Sequence, residues 1–267
     1  MHPAAVTALT ICSWNVNGLR ATLKTGDLQG WLATDCPDIV GIQEVKATPD
    51  QVDPAAWRDL GYSEIWHTAE RPGYSGALLL FRDAPDSVRL GLGLAEFDVE
   101  GRVIQADFGG LTVVTAYFPN GGAKGVRLPY KLAFYEAFLR QVNALRAAGR
   151  DVVFMGDLNV AHREIDVARP DEAAKGTGFL PRERALLDGL EAGGWVDTFR
   201  AKQPDLRDAY SYWEPWRDRR ARNIGWRIDY VWADAPLLPR LESAFIASQV
   251  MGSDHCPVGI RLSASRS

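Results

Sequence analysis

The 267-residue chain predicts an α/β protein in which mixed β-sheets are covered by helices. Three observations carry that prediction. Short apolar runs of strand length, rich in β-branched residues, recur along the whole chain. Segments of helical periodicity lie between some of them. Several runs follow one another with no helix between, which argues against a purely parallel, doubly wound sheet.

In order, the strand-like runs are "LTICSW" (9–14), "DIVGI" (38–42), "GALLLF" (76–81), "VIQADF" (103–108), "LTVVTAYF" (111–118), "DVVFM" (151–155), "RIDYVW" (227–232) and "VGIRL" (258–262). Three segments read as helices. "LQGWLATDCPD" places Leu28, Trp31 and Leu32 together before Pro37. "PYKLAFYEAFLRQVNALRAAG" keeps Tyr135, Phe138, Leu139, Val142 and Leu145 on one face, with Pro129 suited to the first turn and Gly149 to the end. "PRERALLDGLEAGG" does the same with Leu186, Leu187 and Leu190, between Pro181 and Gly193. No low-complexity linker or short-period repeat interrupts the pattern, so a single domain over residues 1–267 is expected.

Composition narrows the function classes. The chain is 46% hydrophobic and 24% charged with a net charge of −4, ordinary for a soluble protein. A nucleic-acid partner would therefore need a local basic patch, or metal ions to offset clustered carboxylates. Cys12, Cys36 and Cys256 are too few and too scattered for a disulfide framework, and they lack zinc-ligand spacing. The N-terminal "MHPAAVTALTICSW" lacks the basic and apolar regions of a signal peptide. No apolar run approaches the roughly 18 residues of a membrane span. A cytoplasmic protein, without a membrane partner, is expected.

Polar residues gather where the apolar runs stop. Asn15 and Asn17 follow one run, Gln43 and Glu44 another, and Tyr117 and Asn120 a third. Asp157 and Asn159 follow "DVVFM", Asp229 sits among apolar neighbours, and Asp254 and His255 precede the last run. Taken singly, each has a bland reading. An Asp after a strand is usually a turn residue, Glu44 a solvated strand end, Tyr117 a core residue, His255 a structural histidine. Taken jointly they read differently, because Asp229 inside a strand pattern needs a partner, and His255 is the candidate. Asp157 and Asn159 are spaced so that strand alternation would send both to one side.

These residue types suit metal-assisted phosphodiester hydrolysis. Carboxylates such as Glu44 offer hard oxygen ligands that favour Mg²⁺. Asp157 and Asn159 suit a water to be oriented and deprotonated, an Asp–His pair suits a phosphate oxygen, and Asn and Tyr side chains hold oxygens without adding charge. No Walker-type glycine loop and no H-E-x-x-H motif is present, which leaves NTPase and zinc-protease readings without support.

"SWNVNGLRA", "GIQEVKA", "GYSGALLL", "YFPNGG", "GDLNVAHREID", "GTGFLPRERALLD", "NIGWRIDYVWA" and "SDHCPVGI", in this order, resemble the exonuclease III / abasic-site (AP) endonuclease family of the endonuclease–exonuclease–phosphatase superfamily. The resemblance runs from about residue 10 to 262. It implies a four-layer α/β sandwich, two packed mixed sheets flanked by helices, with the active site at one edge. It implies a DNA-repair nuclease that cleaves the phosphodiester 5′ to an abasic site with Mg²⁺ (Mn²⁺ as the alternative), with 3′→5′ exonuclease and 3′-end-cleaning activity. Its partner would be double-stranded DNA carrying abasic sites or blocked 3′ ends, met by a monomer.

Carried over by motif, Glu44 resembles the main metal ligand, with Asn15, Asp157, Asn159 and Asp254 completing the metal-site set. Asp157 resembles the residue that activates the attacking water, and Asn159 the one that aligns it. Asp229 and His255 resemble the pair in which the carboxylate fixes the imidazole. Asp254 resembles a metal-site or leaving-group residue, and Tyr117 and Asn120 resemble phosphate contacts. His162 matches the family motif and reads as loop structure. Some relatives carry Asp where this chain has Asn17, and Arg where it has Ala123 beside Lys124.

"YSYWEPWRDRRARNIGWRIDY" (210–230) interleaves arginine with tryptophan, a mixture suited to phosphate contact and to stacking or groove insertion. Arg222 and Arg227 are the expected DNA contacts here, and Lys124 and Arg127, with Lys131, on a second loop. The resemblance makes Tyr212, Trp226 and Ile228 the walls of an apolar pocket for a flipped-out sugar lacking its base. The alternatives are a nonspecific DNase, another phosphoesterase such as a lipid or inositol phosphatase, and an inactive nucleic-acid-binding regulator. The tryptophan-rich segment argues against the phosphoesterases, and the full catalytic set argues against the regulator.

Overall fold

The eight apolar runs of the sequence are strands in the computed structural model, which describes residues 8–263, and four further strands lie outside them. Residues 1–7, half of the stretch read against a signal peptide, lie outside the described residues. The strands are β1 (Leu9–Asn15), β2 (Ile39–Gln43), β3 (Ser63–His67), β4 (Ala77–Phe81), β5 (Ser87–Leu90), β6 (Val103–Phe108), β7 (Leu111–Tyr117), β8 (Asp151–Asp157), β9 (Trp195–Asp197), β10 (Asp229–Asp234), β11 (Leu241–Ile246) and β12 (Val258–Leu262). The helices are α1 (Leu19–Thr25), α2 (Asp27–Asp35), α3 (Ala55–Arg58), α4 (Ala95–Asp98), α5 (Leu128–Ala147), α6 (Pro170–Ala173), α7 (Pro181–Ala192) and α8 (Thr198–Lys202).

Two six-stranded mixed sheets result, in the orders β11-β12-β1-β2-β4-β3 and β5-β6-β7-β8-β10-β9. In each, one central pair is parallel, β1–β2 and β7–β8, and the other pairs are antiparallel. Alternation along β8 shows how the layers form. Val153 and Met155 point into a core shared with Ile11, Ile39 and Leu79 of the other sheet. Val152 and Phe154 point outward against Phe138 and Val142 of α5 and Leu187 and Leu190 of α7. On the far side, Trp14, Val40 and Leu78 pack under Leu28, Trp31 and Leu32 of α2. The fold is therefore a four-layer α/β sandwich. Strands buried on both faces are apolar throughout, so β4 and β8 read as unbroken runs. Each large apolar side chain so enclosed contributes about 1.5–3 kcal/mol.

The sheet register positions the site. Tyr117 of β7, Asp157 of β8 and Asp229 of β10 are consecutive cross-strand partners, one row at the end of the second sheet. Asn15 of β1 and Gln43 of β2 form the matching row of the first sheet. Beneath these rows, Gln43 ties the sheets together: its Nε2 donates to Thr115 Oγ1 at 2.9 Å, and its Oε1 accepts from Ser13 Oγ at 3.2 Å. Gly156 permits the row. Its φ is +150°, and a Cβ there would lie 1.7 Å from the Ala116 carbonyl oxygen.

Candidate active site

Asp157 is the centre of the constellation. Asn15 Nδ2 donates to Asp157 Oδ2 at 2.9 Å and to Glu44 Oε1 at 3.0 Å, so one amide from the first sheet joins carboxylates of both. Asn159 donates its backbone N–H to Asp157 Oδ1 at 2.8 Å, and its side-chain amide to Asp157 Oδ2 at 3.1 Å and to Phe118 O at 2.9 Å. The alternation expected between Asp157 and Asn159 is corrected here. β8 ends at Asp157, and Asn159 lies beyond it with φ 54°. It reaches Asp157 by turning back in the left-handed region, which Asn tolerates better than most residues. Asn17, Glu44 and Lys46 share that region, with φ of 47°, 52° and 48°. Four residues of the site thus hold left-handed backbone, though the same conformation recurs elsewhere, as at Cys36 and Asp208.

Asp229 and His255 form the expected pair. His255 Nδ1 lies 2.8 Å from Asp229 Oδ2, which also accepts from Ser211 Oγ at 2.7 Å. His255 Nε2 lies 4.0 Å from Asp157 Oδ2. Burial opposes the imidazolium, but Asp229, its hydrogen bond and Asp157 outweigh it and raise the His255 pKa to about 10, so the ring is charged at neutral pH. Burial pushes the Asp157 carboxyl up, Asp229 and Glu44 push it further, and His255 opposes them. Burial also works against Glu44, but Lys46, which bridges it at 2.7 Å, and the Asn15 amide bring its pKa below the ordinary value. The buried Tyr117 hydroxyl lies beside Glu44, and burial and that charge hold it protonated. Asp254 accepts from Asn17 Nδ2 at 3.1 Å and from Ser253 Oγ at 3.2 Å, at the rim of the same cluster.

Ser211 and Lys46 were not singled out from sequence. Ser211 Oγ receives the amides of Ile228 and Asp229 while donating to Asp229, and so fixes the carboxylate that fixes the histidine. Its only sequence signal is its place beside Tyr212. Lys46 lies inside the motif "GIQEVKA", where its charge beside Glu44 was the signal.

The donor set fits a divalent cation. Among the described residues, Asp157, Asp229 and His255 each bring a ligand atom within 4.8 Å of the others, though the His255–Asp229 bond already satisfies that side. Glu44, Asp157, Asp229 and Asp254 gather four carboxylates around Asn15, Asn17 and His255. Asp229 Oδ1 is moreover buried with no hydrogen-bond partner. Oxygen-rich, acidic sites of this kind suit hard cations.

A packed apolar cluster adjoins the site. Ile228, Ala161, Val167, Ala173 and Phe179 are buried in it, with Tyr212 and Trp226 half-buried at its edge. The Tyr212 ring lies 4.6 Å, centroid to centroid, from the His255 ring. Phe179, which meets Trp226 edge-on at 6.4 Å, backs that tryptophan from within; sequence reading did not single it out, although the quoted "GTGFLPRER" held it.

The expected DNA contacts divide. Lys124 and Arg222 are exposed and make no salt bridge among the described residues. Asn120 is exposed, its Oδ1 accepting from the Gly122 amide. Arg127 is half-buried against Glu100 at 2.7 Å. Arg227 is not a DNA contact. It is 1% exposed and spends its guanidinium on Asp166 and Asp197, at 2.8 and 2.7 Å. Lys131 is also withdrawn, sealed against Glu183. Both were read as surface cations because sequence displays a charge but not its distant partners. Arg220 likewise turns inward, donating to the carbonyls of Ser248, Val250 and Ser253. Trp216, 54% exposed, is the tryptophan of that segment left on the surface, while Trp213 is buried and Trp226 edges the apolar cluster. His162 is buried, its Nε2 bonded to Asp188 at 2.8 Å.

Residues 12–255 match the model of the Endonuclease/Exonuclease/phosphatase family. The chain belongs to that family. It is 40% identical to an exodeoxyribonuclease of Bacillus subtilis, over 94% of this chain and 98% of that one. It is 40% identical to the DNA repair nuclease APEX1 of Danio rerio, over 95% of this chain and 82% of that one. Among solved structures it superposes on an AP endonuclease from Archaeoglobus fulgidus with a TM-score of 0.84 and 27% identity, covering 95% and 99% of the two chains. The family member described here is a DNA-repair nuclease, a hydrolase of phosphodiesters.

Proposed function

We propose that this nuclease cleaves the DNA backbone 5′ to abasic sites with Mg²⁺, with Mn²⁺ as a substitute, and trims 3′ ends in the same site. The observation that carries the reading is the juxtaposition of Asp157 with a charged His255 and, one ring away, the half-buried Tyr212 at the edge of an apolar cluster. Asp157 is held by Asn15 and Asn159 and has its carboxyl pushed up by burial and neighbouring carboxylates, which makes it an acceptor suited to a water proton near neutral pH. His255, kept charged and oriented by Asp229, directs Nε2 toward the space beside Asp157 and suits a phosphate oxygen there. Tyr117 remains a neutral donor on the same row, and Asn120 lies on the loop beyond it. The cation, held by Glu44 with Asp157 and supported by Asn15, Asn159 and Asp254, would supply charge neutralisation at the phosphate.

The apolar cluster supports the lesion reading. Tyr212 and Trp226, half-buried over Ile228 and backed by Phe179, would offer an apolar face to a sugar without a base, and an intact nucleotide would bring polar edges and bulk that this face does not pair. Exposed Lys124 and Arg222, with Trp216, support backbone contact and stacking on a chain of net charge −4. A monomer working in the cytoplasm, at the nucleoid, completes the reading. Three free cysteines agree with a reducing compartment, and no helix among the described residues is long and apolar enough to cross a membrane.

The test is a labelled duplex carrying one stable abasic-site analogue, assayed with and without Mg²⁺. Metal-dependent incision 5′ to the analogue, reduced about 10³-fold or more in Asp157→Ala, is the expected result. Tight binding without incision by the wild type would overturn the reading.

A further inference from the structure

Lys131 and Glu183 form an ion pair at 2.5 Å with both side chains 0% exposed. Such a pair is costly to bury, and an apolar pair of similar volume is commonly as stable or more so. Its connections give it another use. Lys131 Nζ also donates to the Asn159 carbonyl at 2.7 Å. One turn further along α5, Tyr135 Oη donates to the preceding carbonyl, Leu158 O, at 2.5 Å. Two consecutive carbonyls are therefore pinned by one helix face where the chain turns into the left-handed region to bring Asn159 back onto Asp157.

Glu183 works in the opposite direction. Its Oε2 accepts from the amides of Gly178, at 2.7 Å, and Leu180, at 3.1 Å, the two residues flanking Phe179. Gly178 O in turn accepts from Ala161 N at 2.8 Å, closing the circuit beside Asn159. The pair thus grips the loop that carries Phe179, which backs Trp226, and the loop that carries the amide on Asp157.

We propose that Lys131 and Glu183 are positioning residues that set the Asn159 amide and the Phe179 packing behind Trp226 as one unit, so that catalysis and lesion selection share a single buried ionic bond. The proposal rests on the abasic-site reading above. Lys131 fixes the turn that aims Asn159, which bears on turnover. Glu183 fixes the Phe179 turn, which bears on discrimination between an abasic sugar and an intact nucleotide.

The experiment measures kcat and KM of purified full-length protein on the abasic-analogue duplex, and the rate of nucleotide removal from an undamaged 3′ end, at 25 °C. Wild type that incises the analogue establishes the underlying reading first; wild type that does not defeats that reading and leaves the variants without a baseline role. In Lys131→Met, kcat is expected to fall by about 10- to 100-fold with KM changed little, a loss suited to a reactive group moved out of line. In Glu183→Gln, the ratio of abasic incision to undamaged-end removal is expected to fall several-fold. The double variant Lys131→Met/Glu183→Gln removes both charges, strands neither in the interior, and supplies the measurement where Lys131→Met alone fails to fold. Its kcat is expected to be as low as that of Lys131→Met. A folded Lys131→Met or double variant with wild-type kcat and wild-type substrate ratio overturns the proposal, whatever its melting temperature.

Discussion

Asp157 and Asp229 lie directly opposite one another across β8 and β10. Like charges in that position are destabilising. His255 resolves the conflict by bonding Asp229 while standing 4.0 Å from Asp157. The pair of carboxylates is therefore divided into two roles by one ring: Asp229 is committed to the histidine, and Asp157 is left to the amides of Asn15 and Asn159.

Asp229→Asn removes the charge that outweighs burial at His255. The imidazole, now held by an amide in a buried site, is expected to titrate near or below its ordinary range rather than at about 10. The kcat on the abasic duplex should fall by about 10²–10⁴-fold. Side-chain NMR titration of the histidines checks the first outcome, and a His255 resonance still protonated at pH 9 in the variant would contradict it.

Arg222→Ala and Arg227→Ala should separate cleanly. Arg222 is exposed, so its loss should weaken binding to any duplex and lower the slope of log K against log salt by about 1. Arg227 is sealed between Asp166 and Asp197, so its loss leaves Asp197 without an ionic partner and Asp166 with Arg200 alone, and should cost about 3–5 kcal/mol of stability. Salt-dependent binding isotherms and urea melts read the two effects, and a changed salt slope in a folded Arg227 variant would sink the distinction.

Asp166 should give the protein an acid limit. Burial raises its carboxyl, but Arg227 and Arg200 outweigh burial and bring it to about 2 from the usual 3.8. As pH falls, the unfolded chain takes up the proton before the folded one does. The stabilisation, on the order of 2 kcal/mol, is therefore whole above about pH 4 and is lost as pH drops toward 2. Urea midpoints between pH 5 and pH 2 should show that loss in the wild type and a flatter profile in Asp166→Asn, which starts from lower stability at every pH because Arg200 and Arg227 lose their counter-charge.

Added Mg²⁺ should raise the melting temperature of the nuclease, because a ligand of the folded state alone stabilises it. Glu44→Gln should reduce that shift while leaving the metal-free melting temperature nearly unaltered, since Glu44 is partly exposed and paired with the surface Lys46. A full Mg²⁺-induced shift in Glu44→Gln would move the metal away from this carboxylate.

Gly156→Ala should be among the most damaging substitutions in the chain. The added Cβ would fall 1.7 Å from the Ala116 carbonyl oxygen, at a φ of +150° that alanine avoids. Prising β8 from β7 should cost about 3 kcal/mol or more and disturb the Tyr117–Asp157 register. Thermal melting and activity at low temperature measure both.

Much of this was legible in the sequence, for identifiable reasons. The eight interior strands announced themselves because burial on both faces demands continuous apolar runs, as in "GALLLF". The four strands that escaped notice, β3, β5, β9 and β11, are the four sheet edges. β9 is only three residues long, and β3, β5 and β11 carry Ser, Glu or Arg at outward positions, which breaks the apolar signal. Glu44, Asp157, Asp229 and His255 stood out as polar residues at the ends of apolar runs, and the structure brings them together. Arg227 misled because its partners, Asp166 and Asp197, lie 61 and 30 positions away. Asn159 misled because alternation holds only within a strand, and β8 had ended.

The order of strands along the chain bears on when activity can arise. The second sheet is built from one continuous stretch, β5 to β10, whereas the first is assembled from both flanks, with β1 seated between β2 and β12. His255 and β12 leave the ribosome after every other strand. A growing chain can therefore complete the Tyr117–Asp157–Asp229 row and still lack the imidazole that separates its two carboxylates. The histidine that gives the two carboxylates their separate roles is thus the last of the site's groups in chain order.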